Sequence, residues 1–248
     1  MSGHSKWATI KRKKGKTDAA RGKLFTKLIR EITVAAREGG GGENSNPRLR
    51  TAILAAKAEN MPAANMERAI KKGTGELPGE SYDSVIYEGY GAGGVAIMIE
   101  ALSDNKNRTV AEMRHLFSKY NGNLAENGSV SWMFSQKGYL TVDKSVPEDD
   151  LMMVALEAGA EDISDEEDVW EITTVLPDFD RVKKALEEAG VAYTQAELIR
   201  KPQNMMKVEG KTAEQVLNLM NALEDHDDVQ KVFSNFDMDA KELAALTA

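Results

Sequence analysis

Tyr87-Glu88-Gly89-Tyr90-Gly91-Ala92-Gly93-Gly94-Val95-Ala96-Ile97-Met98-Ile99 is the stretch on which the fold turns. Gly89, Gly91 and Gly94 match the G-x-G-x-x-G of dinucleotide-binding proteins letter for letter. That fingerprint works only where a helix follows the glycines, because the pyrophosphate rests on the free N–H groups of the helix's first turn. Here an apolar, β-branched run follows, from Val95 to Ile99, and it reads as a strand. The glycines are therefore the bend of a hairpin between strands at 85–88 and 95–102. The dinucleotide reading of the glycines is rejected on that ground.

Upstream of the hairpin the apolar period is helical. Leu24, Phe25, Leu28, Ile29, Ile32, Ala35 and Ala36 recur along one face behind a capping Asp18. Gly39-Gly40-Gly41-Gly42 stops that helix, since consecutive glycines lose too much backbone entropy to continue it. Asn46-Pro47 reads as N-cap plus first helical residue of a second helix running to about residue 60. Pro62 opens a short third helix that ends at Gly73. Three helices with short loops predict a small bundle, and the Gly- and Pro-rich stretch 73–81 predicts a boundary.

Downstream, Asn107 is a candidate cap for a helix burying Val110, Met113, Phe117 and Tyr120, and 129–134 reads as a strand. Residues 137–200 then alternate strand, helix, strand, strand, helix, strand, the ferredoxin-like order. A helix at 212–224 and a strand at 229–233 remain. Alone they cannot form a domain, but they can complete the elements of 82–134. The expected fold class is α+β: an N-terminal three-helix domain (1–80) followed by two ferredoxin-like α+β domains, one inserted into the other. The discontinuous domain takes 81–134 and 203–248, and the insertion takes 135–202.

The 248 residues carry a net charge of −8, yet residues 1–37 hold eleven Lys and Arg against two Asp and Glu. A basic arm on an acidic chain is built for a polyanion, and clustered cations gain affinity by releasing counterions condensed on phosphates. The competing reading is a solvated tail that aids solubility, but a chain this acidic has no need of one. The candidate nucleic-acid contacts are Lys6, Trp7, Lys11, Arg12, Lys13, Lys14 and Lys16 in the arm, where Trp7 can stack on an unpaired base. Arg21, Lys23, Lys27 and Arg30 follow on the outer face of the first helix. Asn105, Lys106 and Arg108 form a secondary candidate, because cations beside free N–H groups at a helix start suit an anion. Ordinary capping with a solvated Arg competes with that reading.

Composition removes several classes of chemistry. No cysteine is present, so disulfides, thiolate zinc sites and cysteine nucleophiles are out. No run approaches the ~18–20 apolar residues of a membrane span. No secretory leader is recognisable, which makes the cytoplasm the expected location and a membrane an unexpected partner. Of the three histidines, His4 lies in the arm, His115 reads as structural beside a buried stripe, and His226 sits in an acidic, exposed helix end. None has metal-ligand spacing. No P-loop, H-E-x-x-H or G-x-S-x-G occurs. Neither a metal nor another cofactor is expected, and an enzyme is the weaker hypothesis, with nucleic-acid processing as its form.

Several blocks together resemble the YebC/PmpR family: Gly3-His4-Ser5-Lys6-Trp7, Lys11-Arg12-Lys13-Lys14-Gly15-Lys16, Asp18-Ala19-Ala20-Arg21-Gly22-Lys23, Phe25-Thr26-Lys27-Leu28, Asn46-Pro47-Arg48-Leu49-Arg50, Asn60-Met61-Pro62, Tyr87-Glu88-Gly89-Tyr90-Gly91 and Asp104-Asn105-Lys106-Asn107-Arg108-Thr109. Ala92 departs from it, where the family usually has Pro. The resemblance implies three domains, one α+β domain inserted in another, and control of gene expression without enzymatic activity. Members of the family include regulators described as binding DNA and translation factors acting on the ribosome, some of which relieve stalling. The residues leave DNA and ribosomal RNA both open as partners. The first helix has few Asn or Gln to read adenine edges, which favours phosphate contact over base readout. A flexible basic arm with one Trp suits folded or single-stranded RNA at least as well. The oligomeric state is not legible.

Overall fold

The computed structural model describes residues 18–166 and 169–247. Its N-terminal part is α1 (Asp18–Gly39), α2 (Pro47–Ala58) and α3 (Ala63–Gly73). Asn46 makes the first connection. Its side-chain oxygen accepts from Leu49 N at 3.0 Å, capping α2, while Nδ2 donates to Ala35 O and Gly40 O at the end of α1. Pro47 occupies the first helical position, where a missing N–H costs nothing. Ile32, Ala35, Ala36, Leu49, Ile53, Ala56, Met66 and Ala69 form the bundle core. Its small side chains let α1 and α3 come close. A Cβ on Gly73 would lie 2.3 Å from Thr33 O, so only glycine fits there.

The hairpin follows as β1 (Asp83–Tyr90) and β2 (Ala96–Ser103), antiparallel with Gly89 opposite Ile97. Gly91 N donates to Val95 O at 2.8 Å, and Gly93 and Gly94 turn the chain with φ of 73° and 82°. A strand does follow the glycines. Beyond it come α4 (Lys106–Lys119) and a short β3 (Asn123–Ala125) that pairs with β1.

Two expectations are corrected here. Asn105, not Asn107, caps α4, its side chain accepting from Arg108 N. The strand expected at 129–134 is a turn and a 3-10 segment as far as Met133, and the pairing strand lies earlier, at β3. The reason is Glu88. Its buried carboxylate accepts from the backbone N–H groups of Gly128, Val130 and Ser131 at 2.9, 2.7 and 2.9 Å. Those N–H groups are thus not available to a ladder. Burial pushes the Glu88 carboxyl up, but the three backbone bonds outweigh it and hold it below the usual carboxylate range.

Residues 132–205 form a compact unit of their own. It contains β4 (Phe134–Asp143), α5 (Glu148–Glu157), β5 (Ala160–Asp165), β6 (Val169–Val175), α6 (Phe179–Glu188) and β7 (Tyr193–Pro202). Its antiparallel sheet runs β5-β6-β4-β7, the ferredoxin-like order. Leu140, Val142, Leu151, Ala155, Trp170, Ile172, Val182 and Leu186 fill its core.

The chain returns as β8 (Met206–Lys207), α7 (Gly210–Glu224), β9 (Val229–Ser234), β10 (Phe236–Asp237) and α8 (Ala240–Thr247). β9 closes a sheet of order β3-β1-β2-β9 against β2, and α4 and α7 share its core with Ile97 and Ile99. The parallel β8–β10 pair and α8 are not foreshadowed by the apolar pattern. The bundle α1–α3 keeps its own core but belongs to the same compact unit as this sheet.

Candidate nucleic-acid interface

Lys23, Lys27 and Arg30 are spaced i, i+4, i+7 and so form one stripe along α1. That stripe faces the C-terminal end of α7. Lys23 Nζ donates to Asp225 O at 3.2 Å and Lys27 Nζ to Glu224 O at 2.6 Å. The last carbonyls of a helix have no intrahelical donor and carry its negative dipole end, so cations belong there. One turn on, Arg30 Nη1 donates to Asp227 O at 2.7 Å and to Asp228 Oδ1 at 2.6 Å. Its guanidinium also lies 5.0 Å from the Tyr82 ring centre, within cation–π range. Arg37 continues the stripe, donating to Ser81 Oγ and Tyr82 O. These cations fasten the bundle to the α+β part of the unit.

Asp228 is the centre of this contact. It is buried, and its two oxygens accept from Arg30, from Arg108 Nη2 at 2.9 Å and from Thr109 Oγ1 at 2.5 Å. Thr109 gives its one hydroxyl proton to Asp228, so the Ser103 hydroxyl donates to Thr109 Oγ1 at 2.7 Å and itself accepts from Asn105 N. The result is a directional chain from the α4 cap to a carboxylate, each link polarising the next. Burial raises the Asp228 carboxyl, and the bonds from Thr109, Arg108 and Arg30 together carry it below its ordinary value. In return, bonds to Asp228 and then Asp104 raise the Arg108 guanidinium above its own.

This geometry bears on each candidate residue. Asn105, Lys106 and Arg108 do meet at one helix start, but Lys106 pairs with Asp83 at 3.1 Å and Arg108 with Asp104 and Asp228. An anion there would have to displace three carboxylates, so the helix start is an ion-pair node. Arg21 lies exposed on α1. Lys6, Trp7, Lys11, Arg12, Lys13, Lys14 and Lys16 lie outside the described residues.

The histidine expectations also change. His115 is exposed, not packed beside the buried stripe. His226 is largely shielded: its Nδ1 accepts from Asp228 N at 3.1 Å, which leaves Nε2 to carry the proton and donate to Glu112 Oε2 at 2.8 Å. Glu112, His226 and Asp228 bring ligand atoms within 4.8 Å of one another. They do not suit a metal ion, because two guanidiniums already occupy Asp228 and a backbone N–H occupies Nδ1. The sequence carried one signal for this network that a composition count passes over. A basic stripe on one helix and an acidic cluster at Glu224, Asp225, Asp227 and Asp228 are complementary within the same chain.

The fold is that of an α+β protein in which cations of a helical bundle meet the sheet-bearing part of the same compact unit, and residues 132–205 form a second unit. Residues 5–76 match the family described as the TACO1/YebC protein N-terminal domain, and residues 82–236 match the TACO1/YebC second and third domain. The chain belongs to the TACO1/YebC family. It is 57% identical over 246 residues to a "probable transcriptional regulatory protein" of Geobacter sulfurreducens, covering 99% of this chain and all of the relative. A protein of the same description from Thermotoga maritima is 58% identical over 98% of this chain and 96% of its own. Among solved structures, a conserved hypothetical protein from Aquifex aeolicus superposes with a TM-score of 0.82 at 52% identity, covering 90% of this chain and 92% of that one.

Proposed function

We propose that this chain is a non-enzymatic regulator of gene expression that holds nucleic acid through its N-terminal arm. The observation that carries this reading is the charge asymmetry, eleven cations against two anions in residues 1–37 of a chain whose net charge is −8. The description of its relatives as probable transcriptional regulators supports it. Lys6, Trp7, Lys11, Arg12, Lys13, Lys14 and Lys16 make the principal contacts, extended by Arg21. Lys23, Lys27 and Arg30 act mainly by docking the bundle. The protein works in the cytoplasm, and no described helix is long and apolar enough to cross a membrane.

One observation favours a ribosome-associated translation factor over a promoter-reading one. The stripe on α1 that would face a DNA groove is turned onto α7, and phosphate contact by an arm reads no bases. Specific DNA binding typically exceeds non-specific binding by ~10³–10⁷. The test is binding to a promoter fragment, a scrambled duplex and purified ribosomes at one near-physiological salt concentration. The arm reading expects a small promoter preference and ribosome retention that is abolished by Trp7→Ala or Lys13→Ala. A thousandfold promoter preference without ribosome retention puts sequence-specific transcriptional control in its place.

A further inference from the structure

α5 in the unit 132–205 has two apolar faces where its packing requires one. Leu151, Ala155 and Ala158 face the core and are buried. Met152, Met153 and Leu156 point outward with 39, 60 and 43% of their surface exposed. With Asp149 they take positions i, i+3, i+4 and i+7 of a single outer stripe. Glu148, Asp149, Asp150 and Glu157 surround these apolar side chains, and all four are exposed. Among the described residues no hydrogen bond or ion pair engages their carboxylates.

We propose that this face docks a basic, amphipathic helical segment of a partner protein. Charge complementarity selects that occupant. Residues 135–202 hold seventeen Asp and Glu against seven Lys and Arg, so nucleic acid and anionic membrane are repelled. A second copy docking through the same two-fold face would set these carboxylates against their own counterparts. A helix with a leucine-type face and a lysine rim instead covers the apolar stripe and neutralises the rim. Unbranched methionine side chains adapt to such a ligand, as they do on other surfaces that take amphipathic helices. The arm-borne nucleic-acid reading is not needed for this surface.

The probe is a 14-residue helical peptide of Leu and Lys with its leucines on one face, titrated calorimetrically into the full chain. Two controls accompany it, the same composition scrambled to abolish the face and a Leu/Glu peptide of the same pattern. The docking surface requires binding at least tenfold tighter than either control. It also requires a tenfold loss in Met153→Ser/Leu156→Ser and in the charge-reversed Asp149→Lys/Glu157→Lys, whose exposed positions leave the thermal transition in place. Equal binding of the scrambled peptide, or full affinity in either double variant, overturns the proposal. A concentration-dependent dimer that Met153→Ser/Leu156→Ser abolishes would assign the face to self-association and overturn it equally.

Discussion

Asp228 must be matched by cations, because a buried carboxylate stripped of its partners costs several kcal/mol. Removing its charge strands Arg30, whose buried Nε already lacks a hydrogen-bond partner among the described residues. Asp228→Asn is therefore expected to cost about 3 kcal/mol, read from the urea midpoint. Its pH dependence follows from the sign of the shift. The folded-state carboxyl lies below its unfolded value, so its stabilisation is complete above the unfolded carboxyl range and is lost as pH falls through the lower, folded value. The wild type should lose stability across that acid window more steeply than Asp228→Asn. Arg108 and Lys106 separate at the same scale. Arg108→Ala loses its bond to the buried Asp228 and should cost about 1–2 kcal/mol, while Lys106→Ala breaks only an exposed pair and should stay within about 0.5 kcal/mol. Nucleic-acid affinity per folded molecule should be unchanged in both. A loss of affinity without a loss of stability would restore the helix start as an anion site.

At the scale of elements, the glycine-rich hairpin owes its composition to packing. A Cβ on Gly89 would lie 2.5 Å from Phe117 Cε1 and 2.7 Å from Asn123 O. The hairpin must let α4 and β3 approach its backbone at once, and Gly89→Ala is expected to cost about 1–3 kcal/mol through overpacking, measured by denaturant unfolding. A ligand role for the loop would instead leave stability intact. The arm behaves oppositely. Deleting residues 1–16 takes away six cations that precede the described helices. Affinity for nucleic acid should fall, and the slope of log K against log salt should shrink by ~0.7–0.9 for each phosphate the arm no longer neutralises. An unchanged slope would move the binding surface elsewhere.

For the molecule as a whole, the unit 132–205 begins and ends at one place in its own sheet, with Phe134 paired to Pro202. Adjacent ends and a private core are what an insertion requires. The excised segment 132–205 is expected to unfold cooperatively on its own, with a single thermal transition followed by circular dichroism. A fragment without a transition would show that its stability depends on the remainder of the chain. The bundle is a different case. Its core is separate, yet Lys23, Lys27, Arg30 and Arg37 tie it to the split domain through backbone carbonyls and Asp228.

What local physics controls was legible from the residues alone. Apolar period placed the helices and most strands, Asn46-Pro47 and Gly73 marked boundaries, and the strand after Gly94 excluded a dinucleotide fold. The ferredoxin-like order of 134–202 followed from element order, since right-handed crossovers leave few ways to close such a sheet. The basic charge of residues 1–37 was legible because charge is a property of sequence. Three features were decided only in tertiary structure. Glu88 claims the N–H groups of Gly128, Val130 and Ser131, so a stretch with strand composition does not become a strand. Arg108 and Arg30 meet Asp228 from 120 and 198 residues away, which places two of the candidate anion contacts in an internal ion-pair network. Met152, Met153 and Leu156 became an exposed stripe only once Leu151 and Ala155 had taken the inward face. In the first two cases the partner is distant along the chain, and in all three the energy of a charge or an apolar side chain depends on what lies beside it in space.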